Sequence, residues 1–362
     1  MAEMITVAED LLRRQISGVY AAWGMSPEHI ATTVEVMVET DLMGIDSHGV
    51  GMLSGYQEKK THGRLKPKPD IRIVKETPAT ALIDADRSIG HVPGVMAMKL
   101  AIKKAKAIGI GAVGVRNSNH YGAAGYYSSL ASADGVIGMA FTSVTSPIVV
   151  PTFSREPYLG TNPIAFTAPA KRNKPFSLDM ATSTVASGKV SIAKRTGEPM
   201  PVGWVVDRDG KPLTDAAKAP SGNRRLTALG GTRELGSHKG YGLGLMVEIL
   251  CSTLNGQKSG PRDANDIEFR NKTKETVGHF FMAIDPEMFG GGDGFREEMD
   301  ALMDRLRGLP PVDPHEPVQV AGDQQYRDYA ERKKTGIPLT RALYEEVREV
   351  CKASGAAFIL GK

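Results

Sequence analysis

The chain has 362 residues, enough for two or three domains at about 150 residues each. It is 41% hydrophobic and 24% charged, which excludes wholesale disorder. Its 45 Lys+Arg against 41 Asp+Glu leave a net charge of +4, too balanced for a nucleic-acid or membrane binder that works through bulk charge. Cys251 and Cys351 stand 100 residues apart, so they form neither a disulfide framework nor a zinc knuckle. They read as reduced thiols of a cytoplasmic protein. The N-terminus, MAEMITVAEDLLRRQ, lacks the charged and apolar segments of a signal peptide, and no apolar run approaches the ~18 residues of a membrane span.

The first ~65 residues read as helical. Thr6 and Glu9 fit a capping box ahead of Leu11, Leu12, Ile16 and Tyr20, and Gly24 stops that helix. Ser26-Pro27 starts a second helix, with Ile30, Val34, Met37 and Val38 on one face and an end near Gly44. After Asp46-Ser47-His48-Gly49 comes a segment from Val50 to Lys60, then a basic, proline-bearing stretch over 59–69 that marks a boundary. Residues 71–86 read as two strands joined at a proline turn. Pro93 opens a helix with Val95, Met98, Leu100 and Ala101 inward and Lys99, Lys103, Lys104 and Lys106 outward. Strands then alternate with Gly/Pro/Asn turns as far as WVVDRDGKPL, a hairpin-like signal turning at Asp209-Gly210. A long apolar helix begins near Lys239, VGHFFMAIDP is a further strand, and FREEMDALMDRLRGL is an amphipathic helix carrying Phe295, Met299, Leu302, Met303 and Leu306 on one face. Thr340 to Cys351 is helical again.

Residues 109–114, GIGAVG, match G-x-G-x-x-G. A Rossmann turn follows a strand and opens a helix, with an acidic residue ~20 positions on. Here a helix precedes the glycines, a strand follows, and no such acid ends a second strand. The glycines read as a helix stop.

Two histidines stand out. His48 lies in DSHG beside small residues, and His120 lies in RNSNHYGAAG, where an apolar strand runs out into Ser, Asn and Gly. Each fits either a ligand site or a structural role. No metal site is expected: His29, His62, His91, His238, His279 and His315 show no ligand spacing. Asp46-Ser47-His48 is no hydrolase triad, since adjacent residues cannot converge on one another. Gly160-Thr161-Asn162-Pro163, Asp179-Met180-Ala181-Thr182-Ser183 and Gly236-Ser237-His238-Lys239-Gly240 read as further ligand loops, the last at a helix N-terminus that suits an anion or is simply capped.

DSHGV (46–50), RNSNHYGAAGYY (116–127), GTNPIAF (160–166), LDMATS (178–183) and GSHKGYGLGLMVE (236–248), in this order, resemble the type-2 malate/L-lactate dehydrogenase family, which includes ureidoglycolate, sulfolactate and piperideine-2-carboxylate enzymes. The resemblance implies an α/β chain of the α+β type: a non-Rossmann, largely antiparallel NAD(P)-binding sheet with a helical domain built from both chain ends. It further implies a helical and dimerisation domain over 1–65 plus 315–362, a small α/β domain over 66–115, a strand-rich cofactor domain over 116–314, and a homodimer. The implied activity is hydride transfer between NAD or NADP and a 2-oxo/2-hydroxy acid. A cyclic imino-acid reductase and a non-catalytic nucleotide-binding homologue are the alternatives. Carried over by residue, His48, Ser47 and His120 are catalytic. His120, Tyr121, Gly122, Ala123, Ala124, Asp179, Met180, Ala181, His238, Lys239, Gly240, Gly322 and Asp323 meet the cofactor. Met52, Tyr56 and Thr161 meet the substrate. Many members carry arginine where this chain has Met52, and methionine cannot clamp a carboxylate. Arg116, Lys189 and His238 are candidate replacements, or the substrate is bulkier and less polar than malate.

Overall fold

A computed structural model describes residues 3–144, 146–219, 225–259 and 276–361. In chain order its elements are β1 (Met4–Val7), α1 (Glu9–Ala22), α2 (Pro27–Leu42), a 3-10 turn (Val50–Met52), α3 (Leu53–Thr61), β2 (Arg72–Glu76), β3 (Thr80–Asp84), α4 (His91–Ile108), β4 (Ile110–Ser118), α5 (Ala124–Ala133), β5 (Ile137–Thr142), β6 (Val149–Val150), β7 (Ile164–Ala168), β8 (Phe176–Met180), α6 (Ser187–Thr196), β9 (Leu226–Thr227), α7 (Ser237–Glu248) with a π-helical turn after it (Ile249–Thr253), β10 (Val277–Ile284), α8 (Gly292–Arg307), α9 (Asp323–Thr335), β11 (Ile337–Thr340) and α10 (Arg341–Ser354).

Both chain ends feed one core. Leu12, Ile16 and Tyr20 of α1, Met37 and Val38 of α2 and Tyr56 of α3 pack with Tyr344, Val347 and Cys351 of α10. Thr6 does not cap α1. It lies in β1, paired antiparallel with β11 through Pro338, and α1 starts after Ala8 with no side-chain cap. Pairing between the chain ends outweighs the local capping signal. Ser26 does cap α2, its hydroxyl accepting from the His29 N–H.

The main sheet has seven strands in the order β2-β3-β4-β10-β5-β7-β8. Only β3 and β4 are parallel; every other neighbouring pair is antiparallel. Alternation along the strands sorts two faces. Val113, Val115, Ala140, Phe281 and Ala283 meet Ala97, Met98 and Ala101 of α4 and Tyr127 and Ala131 of α5. Phe141, with Met139 and Phe280 around it, meets Val247 of α7 and Cys251 of the π turn. The boundary expected at 115/116 falls inside β4, so residues on both sides share this one sheet. The order helix, glycine, strand holds at GIGAVG: Gly109 ends α4 at φ +91° and β4 follows. Lys104, expected outside, is buried because its ammonium donates to Glu76 and to the Thr77 carbonyl. The WVVDRDGKPL turn is made by the Asp207 N–H to the Lys211 carbonyl and single bridges rather than full strands. On α8 only Met303 of the expected apolar face is fully buried, while Leu302 and Leu306 are exposed. Among the described residues no helix is long and apolar enough to cross a membrane.

Candidate active site

The His48 loop is fastened from two sides. Asp41 extends the buried face of α2, and its Oδ2 accepts from the Val50 N–H at 2.8 Å. A Cβ on Gly49 would lie 1.9 Å from Asp41 Oδ1, so only glycine lets the chain fold back over this carboxyl. Burial pushes the Asp41 carboxyl up to about 8, with the Val50 N–H opposing it. From outside, Arg332 of α9 donates to the Asp41 carbonyl at 2.7 Å and pairs with the Asp46 carboxylate. Between these anchors the Ser47 hydroxyl meets His48 Nδ1 at 2.7 Å. Burial holds the half-buried His48 below its ordinary pKa.

The His120 turn is built from the end of β4. Asn119, buried, donates to the carbonyls of Arg64, Arg87 and Ser88 at 3.1–3.2 Å. The start of α4 presses onto this turn so closely that a Cβ on Gly90 would come within 2.3 Å of the Asn119 carbonyl. His120 Nδ1 meets the Tyr56 hydroxyl at 2.7 Å and accepts from the Gly122 N–H at 3.3 Å. The imidazoles of His48 and His120 lie 5.5 Å apart between ring centres. Burial, then the charges of His48, Lys59, His91 and His279, hold His120 well below the usual histidine range. Tyr56, expected at the substrate, is fully buried, with its hydroxyl against His120 Nδ1.

Three of the segments expected at the cofactor are linked in series, from the residues after His120 through Asp179 to Gly322. Tyr121 is buried and sandwiched between Tyr127 and His279, at ring distances of 4.6 and 4.5 Å. Ala123 and Ala124 open α5, whose Gly125 N–H donates to Asp179 Oδ2 at 2.7 Å. Two residues before Asp179, the Ser177 N–H donates to the Ala321 carbonyl at 3.0 Å, which seats Gly322 beside β8. Asp323 itself is engaged by Arg307 and the Val320 N–H. Met180 and Ala181 are half-buried, and the Thr182 N–H and hydroxyl join them to the Thr161 carbonyl.

Other expected residues stand apart. His238 and Lys239 are exposed at the start of α7, and among the described residues no ring contact or hydrogen bond joins them to the histidine pair. Gly240 is buried where a Cβ would strike the Leu229 backbone at 2.4 Å. Of the candidate cations, Arg116 is bound to Asp84 at 3.0 Å and Lys189 is exposed on α6. Met52 is half-buried against the core shared by the chain ends.

Asp179 is open to solvent, yet enough protein surrounds its carboxyl for burial to push it up to about 6 against the Gly125 N–H. His48 and His120 are half-buried. This donor set fits a nicotinamide dinucleotide. Asp179 offers an acceptor to hydroxyl or carboxamide hydrogens, and the rings of His48 and His120 can meet a polar reactant. Among the described residues no group of three or more His, Cys, Asp or Glu side chains could hold a metal ion.

The residue pattern missed Asp41, Lys59, His91 and Arg332. Asp41 carried a signal: an acid on the buried stripe of Val34, Met37 and Val38. His91 carried another, the same small-residue setting (Gly90, Pro93, Gly94) that marked His48. Lys59 and Arg332 reach the site only through tertiary folding.

Comparison with known proteins makes the class specific. A family model described as malate/L-lactate dehydrogenase matches residues 7–348, and the chain belongs to that family. It is 40% identical to a malate dehydrogenase of Pyrococcus horikoshii, over 97% of this chain and 96% of the relative. It is 40% identical to an L-sulfolactate dehydrogenase of Methanocaldococcus jannaschii, over 95% of each. The solved malate dehydrogenase of Entamoeba histolytica superposes with a TM-score of 0.90 at 32% identity, over 98% of this chain and 99% of that one. The protein is a hydroxy-acid dehydrogenase that uses a nicotinamide cofactor.

Proposed function

We propose that the protein moves hydride between NAD(P) and a 2-oxo/2-hydroxy acid, with His48 transferring the proton and His120 holding the reacting oxygen. The observation that carries this is the pair of half-buried imidazoles 5.5 Å apart, each braced by its own partner. The bound cofactor supplies the hydride chemistry. Gly122 to Ala124, with Tyr121 packed beneath them, Asp179 to Ala181 and Gly322 would hold it, with His238 and Lys239 reaching it from the start of α7. Thr161 lies on the substrate side of these residues.

The proton belongs to His48 because the Ser47 hydroxyl can either donate to Nδ1 or accept from it. His48 is therefore served in both of its charge states. Asp41, Gly49 and the Arg332–Asp46 pair keep the loop in place while the proton moves.

Met52 cannot bind a carboxylate, and Arg116 is committed to Asp84. Lys59, half-buried on α3 one turn beyond Tyr56, is the cation whose charge is felt at His120. It answers the carboxylate of the substrate, while Met52 faces its side chain. A panel of 2-oxo acids and cyclic imino acids with NADH and with NADPH tests this. Oxo-acids with apolar side chains turn over best, and Lys59→Met raises KM about tenfold or more with a smaller effect on kcat. Malate or sulfolactate as the best substrate would overturn the assignment of Met52. Faster turnover of cyclic imines would move the acceptor from C=O to C=N.

A homodimer completes the reading. Leu245, Met246, Ile249 and Leu254 are exposed along α7 and its π turn, an apolar face suited to a second copy of the chain. Light scattering reads the mass directly, and a monomer would remove this part.

A further inference from the structure

Behind His120, beyond the reach of any substrate, lie two side chains with no exposed surface, Tyr56 and His91. We infer that His91 is a positioning residue: acting through the Tyr56 hydroxyl, it keeps the proton of His120 on Nε2. His120 then offers a donor to the substrate oxygen and cannot accept a proton from it. This rests on the dehydrogenase reading above and sharpens it, because it leaves His48 as the group that gives and takes the proton.

The direction of each hydrogen bond follows from groups that have no choice. A backbone N–H can only donate, and the Gly122 N–H points at His120 Nδ1. That nitrogen is therefore an acceptor, but at 3.3 Å the contact is too long to hold the tautomer by itself. The Tyr56 hydroxyl, at 2.7 Å from the same nitrogen, must donate to it as well. Burial raises the Tyr56 pKa, so the hydroxyl keeps the proton it donates. Its oxygen is then free to accept, and His91 Nε2 lies 3.5 Å away with the two rings at 90°. An Nε2–H on His91 completes the chain.

The far side of His91 supplies an independent check. His91 Nδ1 is buried without a hydrogen-bond partner. A proton there would face a wall that cannot accept it, whereas a bare lone pair leaves no stranded donor. Both ends of the network thus select the same arrangement: His91 Nε2–H to Tyr56, Tyr56 O–H to His120 Nδ1, and the His120 proton on Nε2. The charged or titratable groups facing His120 are His48 from the 43–49 loop, Tyr56 and Lys59 from α3, His91 from α4 and His279 from β10. Burial and the charges of these neighbours keep His120 neutral; none of them is a carboxylate that would favour its cation.

The test uses the full-length protein labelled with ¹⁵N-histidine. The two ring nitrogens of His120, assigned by their loss in His120→Asn, are followed across the neutral pH range. The expected result is an unprotonated Nδ1 and a protonated Nε2 throughout. In His91→Leu the Tyr56 hydroxyl loses the donor that orients it and turns from Nδ1, leaving the long Gly122 contact as the remaining hold, so the Nδ1–H tautomer of His120 becomes detectable beside the Nε2–H one. With that variant a second ionisation enters the kcat/KM profile, and kcat falls about tenfold at little change in KM. His91→Gln, whose amide can donate to Tyr56, restores the single tautomer and the simple profile. Should His91→Leu fail to fold, Tyr56→Phe removes the hydroxyl, keeps the ring and carries the same expectation. A proton on Nδ1 in the unaltered protein overturns the inference, as do unchanged ring signals and an unchanged pH profile in His91→Leu or Tyr56→Phe. The ring-nitrogen measurement needs no substrate, so it stands or falls separately from turnover on the acid panel.

Discussion

The loop after α2 and the turn after β4 bring their histidine rings within 5.5 Å of each other, and they hold them in opposite ways. His48 leans on the Ser47 hydroxyl, which is exposed and free to rotate. His120 leans on a buried tyrosine and a backbone amide, which are not. A ring with an adaptable partner can change its charge during a reaction. A ring with fixed donors on one nitrogen keeps its tautomer and acts as a positioned dipole. Two histidines in one site are therefore not interchangeable, and the difference lies in what stands behind each.

The strongest way to break this contrast is to remove the adaptable ring. His48→Gln should lower kcat by about 10²–10⁴-fold, the usual range for a lost general acid, while cofactor binding, read by nicotinamide fluorescence, is retained. A loss no greater than that of Ser47→Ala would place the proton elsewhere.

Gly49→Ala comes next. The added methyl meets the Asp41 carboxyl at 1.9 Å, and overpacking of this kind costs about 1–3 kcal/mol. The expected outcome is a lower midpoint in urea together with a lower kcat, because relief of the clash displaces the His48 loop. The equivalent change on the other side of the comparison, Gly90→Ala, should displace His120 instead.

How much of this was legible in the residues can be judged at the same places. The Ser26 cap, the helix-glycine-strand order at Gly109 and the small-residue settings of His48 and His120 are local, and local chemistry determined them. The strand at Thr6, the burial of Lys104 and the position of Tyr56 behind His120 depend on partners 28 to 332 positions away. Nothing in their own neighbourhoods marks them. The expected 115/116 boundary lies within β4 for a related reason: strands from both sides hydrogen-bond into one sheet, and composition does not reveal which strand will pair with which.

A smaller effect concerns the anchor of the His48 loop. The Asp41 carboxyl is raised from 3.8 to about 8 in the folded chain. Between those values the native state holds a proton that the unfolded state has lost, so this group makes stability fall as pH rises. The limiting slope is about 1.4 kcal/mol per pH unit. Asp41→Asn removes the titration and should flatten the decline of Tm with pH over that window. An identical decline in both proteins would show that Asp41 is ionised when folded.

The measurement that bears most directly on the division of labour is the pH dependence of kcat/KM for oxo-acid reduction in His48→Gln and His120→Asn, side by side with the unaltered enzyme. Reduction needs a protonated donor, so activity should fall as pH rises through the pKa of His48, which burial holds below its ordinary value of 6.5. His120→Asn is expected to be slower but to keep this falling limb, whereas His48→Gln loses it. A limb that survives in His48→Gln and vanishes in His120→Asn would contradict this division of labour.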